Sequence, residues 1–429
     1  MSTQTPAEME KFLVLLDRPS GRFLGAMLLA AIVAIAGIAV WLMEVSGAHL
    51  SNLGNWGTAG QVPWGLDIGV FDWWTGMAIG ALVLSGLIRI LRADGYLGFA
   101  RIAEFLAPLG FLGGFLHILF DMGRPARVLN TVIHVQVQSP LFWDIVLIGG
   151  LVVLSLVYLF ATVRQDLGHL VADGVLEDSG LHGLLAGSGS KTDGGRIVWW
   201  LAAIILAFIP VVGGGLVPWV WSQIGMSMNW FGAVQGPTFL LMSLATGFTA
   251  VLFVGSVLRA IYGWSDVFSN QRLMLLGGVT AGVGFFYLVA TLFEIQSGSF
   301  APVMAPPDIG TLLVPHGAGT ILLLAVVAIA IPAIVLGMQI VLQSFNNTTT
   351  LVATLILLLG VLSMEAILVV VGLSHSELLY PVGEYVPSLA EWVRVAGTIS
   401  LVAFGFMVLS ALLPLIPIRT DMAAESDSN

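Results

Sequence analysis

Long apolar segments separated by short polar ones occupy almost the whole chain. Ten windows of about 20 residues carry almost no charged side chain, and each is long enough to cross a hydrocarbon core of roughly 30 Å. Because backbone groups in lipid have to be satisfied within their own segment, we expect every window to form an α-helix. The predicted spans are residues 24–43, 69–88, 102–120, 141–163, 197–217, 238–258, 273–294, 312–342, 351–373 and 394–416.

The composition is that of an integral membrane protein. Of the 429 residues, 58% are hydrophobic and only 9% are charged, whereas soluble domains carry roughly 25% charged residues. This excludes a soluble globular enzyme, and a net charge of −10 gives no indication of nucleic-acid binding through phosphate contacts. The chain has no cysteine, so it supplies no ligand for an iron–sulfur cluster and no attachment site for a c-type haem.

The distribution of basic residues predicts the orientation, because cytoplasmic loops are enriched in Lys and Arg. With the N-terminus inside, the cytoplasmic segments hold 12 of the 15 Lys and Arg residues, and the other side holds only Arg124, Arg127 and Arg394. Both termini are therefore expected in the cytoplasm. The first span is expected to be a retained helix, because it is too long for the apolar part of a signal peptide.

The two halves of the chain are similar to each other. The second span contains Thr75-Gly76 and the sixth contains Thr246-Gly247, while the third and seventh spans end in the acids Asp121 and Glu294. These matches predict an all-α protein with two parallel four-helix bundles, spans 2–5 and 6–9, flanked by spans 1 and 10. The expected units are residues 1–66 with the first span, 67–217 with the first bundle, 218–375 with the second bundle, and 376–429 with the last span and a cytoplasmic tail.

Ionisable side chains within apolar spans are the main candidates for chemistry, because each costs on the order of 3 kcal/mol to insert. Asp67 and Asp72 stand at the start of the second span among tryptophans, which alone are typical of an interfacial aromatic belt. His117 and Asp121 are four residues apart and therefore lie on one face of the third span. The structural alternative pairs Asp121 with one of the two arginines that follow it.

Three further ionisable residues are candidates for a proton relay. Glu294 ends the seventh span, His316 opens the eighth, and Glu365 lies deep in the ninth. For Glu365 the alternative is a protonated carboxyl group that is hydrogen-bonded to a neighbouring helix. Whether protons are moved at all stays open at this level.

The acids and the histidine of the second and third spans suit a quinone. A quinone head group lies in lipid and needs hydrogen-bond donors for its carbonyls together with acid–base groups that are linked to water. A b-type haem would instead need two facing axial ligands, and His117 is the one histidine that lies clearly inside a predicted span.

Two segments around the end of the third span resemble a known family. Asp121–Arg127 and Ser139–Trp143 are similar to the D-x-G-x-P-x-R and S-P-x-x-W segments of the membrane subunits of polysulfide reductase, often called NrfD-like. The resemblance covers mainly residues 64–150, and ten spans are similar to the larger members of that family.

The resemblance implies a membrane subunit, not catalytic alone, in a respiratory oxidoreductase complex of a prokaryotic cell membrane. Such a subunit exchanges electrons between quinone, either menaquinone or ubiquinone, and an iron–sulfur partner that docks on the outer face with a catalytic subunit. By position, the implied quinone-binding residues are Asp67, Phe71, Asp72, His117 and Asp121, supported by Arg124, Arg127, Trp143 and Asp144.

The sequence departs from the polysulfide reductase subunit at two places in this set. That subunit has an Asn near the place of Asp67 and a His near the place of Phe71, which affects the expected hydrogen bonds to quinone. Two other classes of protein remain as alternatives. One is a secondary ion-coupled transporter, and the other is a structural anchor that has no need of inserted acids.

Overall fold

The computed structural model describes residues 20–46, 64–122, 124–172, 180–186, 194–223, 234–298, 318–374 and 387–417. Within these residues, ten helices are long and apolar enough to cross a membrane, which confirms the predicted all-α membrane fold. They are α1 (Gly21–Val45), α2 (Leu66–Ile90), α3 (Leu97–Asp121), α4 (Pro140–Ala172), α5 (Gly194–Val211), α6 (Gln235–Tyr262), α7 (Asn270–Gly298), α8 (Ala318–Val341), α9 (Asn347–Ser374) and α10 (Leu389–Leu412).

Most helices extend the predicted apolar windows by a few residues at each end, because helical hydrogen bonding continues into polar sequence. The first residues predicted for the eighth span, 312–317, lie outside the described residues. The last helix begins at Leu389 instead of residue 394, because Ser388 and Glu391 form a capping box: Glu391 accepts from the Ser388 N–H at 2.6 Å, and Ser388 Oγ accepts from the Glu391 N–H at 3.3 Å.

The fifth span is not a regular helix. Pro210 removes one backbone donor near the end of α5, and the chain continues through a π-helical turn, Val212–Leu216, into a short helix, Val217–Gln223.

The helix contacts place α2 at the centre of the molecule. In α2, 78% of the apolar window is buried against other helices, compared with 11% in α1. Helix α2 packs against α3, α5, α6 and α9, while α1 packs against α10 and α10 against α3. The division of the chain into two bundles at the expected boundaries stays a prediction.

Small residues allow the closest helix approaches. A Cβ atom on Gly80 of α2 would lie 1.9 Å from the carbonyl oxygen of Ser243 on α6, and one on Gly37 of α1 would lie 2.8 Å from the Cα atom of Gly397 on α10. Small residues have this role in membrane helix interfaces generally. Trp73 and Trp74 are also buried, so these two rings pack between helices and not in an interfacial belt.

Candidate functional site

A buried histidine links three helices at the N-terminal end of α2. His117 of α3 is fully buried, with Nδ1 2.8 Å from Asp67 Oδ1 of α2 and Nε2 2.8 Å from Thr398 Oγ1 of α10. The spacing of His117 and Asp121 predicted a pair on one face of a helix. In the structure the hydrogen-bond partners of the imidazole come from α2 and α10 instead.

A buried arginine completes this group of side chains. Arg394 Nη2 of α10 donates to Asp67 Oδ2 at 2.5 Å, and Arg394 Nη1 donates to Glu44 Oε2 of α1. All these side chains are almost inaccessible to solvent, with Arg394 1% exposed and Glu44 3% exposed. We call the five residues Glu44, Asp67, His117, Arg394 and Thr398 the His117 cluster.

The local sequence explains how four helices meet at this point. The close approach of Gly37 and Gly397 brings α1 and α10 together just before Glu44 and just after Arg394. The ring of Phe120, one turn beyond His117, lies 5.3 Å from the imidazole and 6.0 Å from the guanidinium carbon of Arg394. The cluster is therefore enclosed by an aromatic side chain on one side and by helix contacts on the others.

Asp121 and Phe71 lie beside the His117 cluster and are partly exposed. The Asp121 carboxyl group is close enough to interact electrostatically with Asp67 and Arg394, and it is hydrogen-bonded by the backbone of Gly65. The ring of Phe71 packs against Gly114 of α3. A Cβ atom added to Gly114 would lie 3.3 Å from Phe71 Cδ2. The structure thus brings four of the five predicted quinone-binding residues, Asp67, Phe71, His117 and Asp121, to one region.

Asp72 is the exception, because it faces a different set of helices. It is 1% exposed, its Oδ1 atom has no hydrogen-bond partner within the described part of the chain, and its electrostatic neighbours are Glu365 of α9 and Asp144 of α4. Five residues along an α-helix turn the side chain by roughly 140°, so Asp67 and Asp72 point to different sides of α2.

Glu365 belongs to the same buried acidic group as Asp72. Its Oε1 atom accepts a hydrogen bond of 2.5 Å from the hydroxyl of Tyr287 on α7, which is fully buried. This is the hydrogen bond to a neighbouring helix that the sequence offered as one interpretation of Glu365. Glu294, predicted to end the seventh span, lies inside α7 near Glu365 and is hydrogen-bonded by the Thr238 side chain.

The remaining predicted residues lie at or beyond the helix ends. Arg124 and Arg127 are exposed, and Pro125–Leu129 between α3 and α4 forms a short 3₁₀ helix. Trp143 on the first turn of α4 donates its Nε1–H to the carbonyl oxygen of Val137 at 2.8 Å, which fixes this connection against α4. His316 lies outside the described residues.

A second ionic cluster lies at the opposite ends of the same helices. Glu104 of α3 accepts hydrogen bonds from Arg89 of α2, at 2.9 and 3.1 Å, and from Arg101, at 3.0 Å. Arg101 also donates to Asp166 of α4 at 2.5 Å and to the carbonyl oxygen of Pro414 at 2.8 Å. Arg101 and Glu104 are both within 1% of complete burial.

Four residues that complete the two ionic clusters were not among the predicted site residues. They are Glu44, Arg101, Glu104 and Arg394. The predicted first span ends just before Glu44, the third begins just after Arg101, and the tenth begins at Arg394 itself, so these charges were expected at the edges of the spans. The sequence does contain an indication that Arg394 lies inside a helix. The Ser388–Glu391 capping box starts the helix at Leu389, five residues before the predicted span. For Glu104 the signal is an arginine three residues earlier, on the same helical face.

Comparison with known proteins gives two findings. The sequence profile of the family described as polysulphide reductase, NrfD, matches residues 54–374. The chain is 26% identical over 227 residues to a putative dimethyl sulfoxide reductase membrane subunit of Halobacterium salinarum, a match that covers 52% of this chain and 49% of that protein.

Two other relatives are similar over almost their whole length. A selenate reductase subunit of Mesobacillus selenatarsenatis is 23% identical over 89% of this chain and 92% of its own. The Hdr-like menaquinol oxidoreductase integral membrane subunit of Archaeoglobus fulgidus is 22% identical over 92% of this chain and 93% of its own. The match thus spans about half the length of the Halobacterium protein and more than nine tenths of these two.

Proposed function

Because the chain belongs to the polysulphide reductase NrfD family, we propose that it is the quinone-reactive membrane subunit of a respiratory oxidoreductase complex, with the quinone site at the His117 cluster. The membership confirms the resemblance found around Asp121–Trp143, and the names of all three relatives describe subunits of oxidoreductases. The observation that carries the proposal is the buried contact of His117 with Asp67 and Thr398.

This arrangement has what quinone chemistry needs. Quinone reduction takes up two electrons and two protons, so the site has to offer polar groups to the carbonyl oxygens and residues that exchange protons. His117, Asp67 and Asp121 supply both kinds of group at the end of two helices, near the expected membrane surface. In this proposal the apolar ring enters beside Phe71 and Asp121, the partly exposed residues of the region.

The test is quinol oxidation by the purified complex, with a soluble quinol analogue as substrate. His117→Gln and Asp67→Asn are expected to lower kcat/KM by about 100-fold or more, the usual effect of losing an acid–base group. Ser410→Ala, which removes another buried hydroxyl of α10 far from the cluster, is the matched control. Wild-type kcat/KM in both cluster variants would refute this location of the site.

We further propose that an iron–sulfur subunit docks on the outer face, over the connection between α3 and α4. This connection exposes five large apolar side chains beside two arginines. Exposed apolar patches with a polar rim mark interaction sites. The exposed apolar residues are Leu129, Val132, Ile133, Val135 and Val137. Mass spectrometry of the chains that co-purify tests this, and Ile133→Asp is expected to reduce the yield of the complex.

A proton relay through the second half of the chain is a separate part of the proposal. Its support is the buried group of Asp72, Glu365 and Tyr287. Among the described residues Asp72 Oδ1 has no hydrogen-bond partner, and Asp72 faces the Glu365 carboxyl group, which is hydrogen-bonded to Tyr287. Glu294 and His316 complete the proposed relay. Its experimental test is the ratio of protons moved to electrons transferred.

A further inference from the structure

Two adjacent tryptophans of α2 are buried to a similar extent but differ in what their indole N–H groups contact. Trp73 is 6% exposed and Trp74 is 2% exposed. Trp73 donates its Nε1–H to the carbonyl oxygen of Leu358 on α9 at 3.2 Å. The Nε1 atom of Trp74 is buried as well, and it has no hydrogen-bond partner in the described part of the chain. Because a buried indole N–H normally has a partner, that of Trp74 points to an acceptor which the chain itself does not supply.

The position of Trp74 in α2 connects it with the candidate quinone site. It follows Asp67 by seven residues and Phe71 by three, so these three side chains share one face of the helix. Trp73 is rotated from Asp67 by roughly 120° and faces α9 instead. The indole without a partner is therefore the one on the side of the His117 cluster.

Two glycines of α3 bring the same face of α2 close to the backbone near His117. A Cβ atom on Gly113 would lie 2.9 Å from Cδ2 and 3.1 Å from Cε2 of Trp74, and Cε2 is the ring carbon bonded to Nε1. A Cβ atom on Gly114 would lie 3.3 Å from Cδ2 of Phe71. Both glycines precede His117 by about one helical turn, roughly 5 Å along the axis. The Trp74 ring thus lies one turn further into the helix bundle than the imidazole.

We propose that Trp74 is a quinone-binding residue, whose Nε1–H donates a hydrogen bond to the oxygen at the inner end of the head group. The other oxygen lies at the polar groups around His117 and Asp121, and the ring between them packs against Phe71. This inference rests on the proposed function, to which it adds a residue. The two oxygens of a quinone stand on opposite sides of its ring, and the polar groups assigned so far all lie at the outer end of the site.

The experiment compares Trp74→Phe with Trp73→Phe in the purified complex. Both changes remove an indole N–H and a similar ring area. The loss of the Trp73 N–H breaks its hydrogen bond to Leu358, whereas the loss of the Trp74 N–H breaks no hydrogen bond within the described chain. The melting temperature of Trp74→Phe is therefore expected to be at least as high as that of Trp73→Phe.

Quinol oxidation gives the opposite order. The substrates are menadiol and decylubiquinol, soluble quinols of the two head-group classes. Trp74→Phe is expected to raise KM about fivefold, the usual effect of one hydrogen bond, with kcat changed by less than about twofold. Trp73→Phe is expected to keep the wild-type KM. An unchanged KM in Trp74→Phe, as expected if a water molecule is the acceptor, overturns the inference, and so does an equal rise in both variants.

An isosteric analogue separates the hydrogen bond from the size of the ring. Benzothienylalanine at position 74 replaces the indole N–H with sulfur in a ring of nearly the same shape. We expect it to raise KM as much as Trp74→Phe does. A wild-type KM with this analogue overturns the inference, even where Trp74→Phe raises KM.

His117→Gln, measured with the same quinols, separates this inference from the proposed function. If His117→Gln is inactive and the analogue at position 74 keeps the wild-type KM, the quinone site stands and the role of Trp74 is refuted. If His117→Gln has wild-type activity and the analogue raises KM, Trp74 stands as a quinone ligand and the location at the His117 cluster is refuted. Wild-type kinetics in both variants refute both.

Discussion

Glu44 and Arg394 form a buried ion pair between the first and the last membrane helix, although 350 residues separate them in sequence. The second end of the same guanidinium binds Asp67 on the central helix α2. Arg394 therefore joins α1 and α10 to the core of the molecule, and it fixes the carboxylate that bonds to His117. The outer helices are part of the candidate site, which has several testable consequences.

The first prediction concerns the shape of the Arg394 side chain. A planar guanidinium reaches two carboxylates at once, whereas an ammonium group is a single point charge on a flexible stem. Arg394→Lys keeps the charge but is expected to bind only one of Glu44 and Asp67, and to lower both kcat/KM for quinol and thermal stability. Wild-type activity and stability of Arg394→Lys in the purified complex would show that the bidentate geometry is irrelevant.

The second prediction concerns the ionic cluster around Glu104. Removal of this carboxylate takes away the acid that Arg89 and Arg101 share and leaves Arg101 with Asp166 alone. Breaking a buried pair in this way costs about 3–5 kcal/mol. We expect Glu104→Ala to unfold at a clearly lower temperature than the wild type in detergent. Arg22→Gln, which changes an exposed charge near the start of α1, serves as the control. Equal melting temperatures for both variants would contradict the assigned role.

The third prediction uses the contact between α2 and α6. A methyl group on Gly80 would collide with the backbone oxygen of Ser243, which cannot rotate away, so the two helices have to separate. Overpacking of this kind costs about 1–3 kcal/mol. Gly149→Ala is the matched control, because its Cβ atom would have no neighbour within 4 Å. The melting temperature of Gly80→Ala should fall, and that of Gly149→Ala should not.

The fourth prediction concerns the proton relay. Tyr287→Phe removes the hydroxyl that bonds to Glu365, and Glu365→Gln removes the titratable group itself. Both variants are expected to keep the KM for quinol, because they lie away from the His117 cluster, and to lower the ratio of protons moved to electrons transferred. The measurement is proton release from proteoliposomes that contain the complex. An unchanged ratio in both variants would refute the relay.

The fifth prediction concerns orientation, which the absence of native cysteine makes simple to measure. Single cysteines at two exposed positions, Ser46 at the end of α1 and Ser344 between α8 and α9, are expected on opposite sides of the membrane. In intact cells a membrane-impermeant maleimide should label Ser46→Cys and not Ser344→Cys. The opposite pattern would place the termini outside and contradict the distribution of Lys and Arg.

Much of the fold was predictable because its main constraint is local. A segment in lipid has to satisfy its own backbone, so apolar length alone located the ten spans within a few residues. The errors occurred at the ends, where hydrogen bonding continues past the apolar window. They mattered most at Arg394, which lies inside α10 after a capping box that the sequence itself contains.

The candidate site was predictable only in part. The sequence grouped Asp67, His117 and Asp121, and the structure places them near one another, since inserted ionisable residues rarely lie without polar neighbours. Their role as a quinone site stays a prediction. Asp72 was grouped with them, although the helical rotation between positions 67 and 72 directs it towards Glu365 instead. Helical periodicity contains this information, because it assigns the two acids to different faces of α2.

The sequence by itself determined that this chain crosses the membrane and where its helices lie. It also selected a few acids and one histidine near one set of helix ends as the candidates for chemistry. The tertiary structure decided which of those groups meet. Pairing of Glu44 with Arg394, or of His117 with Thr398, depends on which helix faces approach closely, as Gly37 and Gly397 allow. Such contacts join residues hundreds of positions apart, so no local pattern along the chain encodes them.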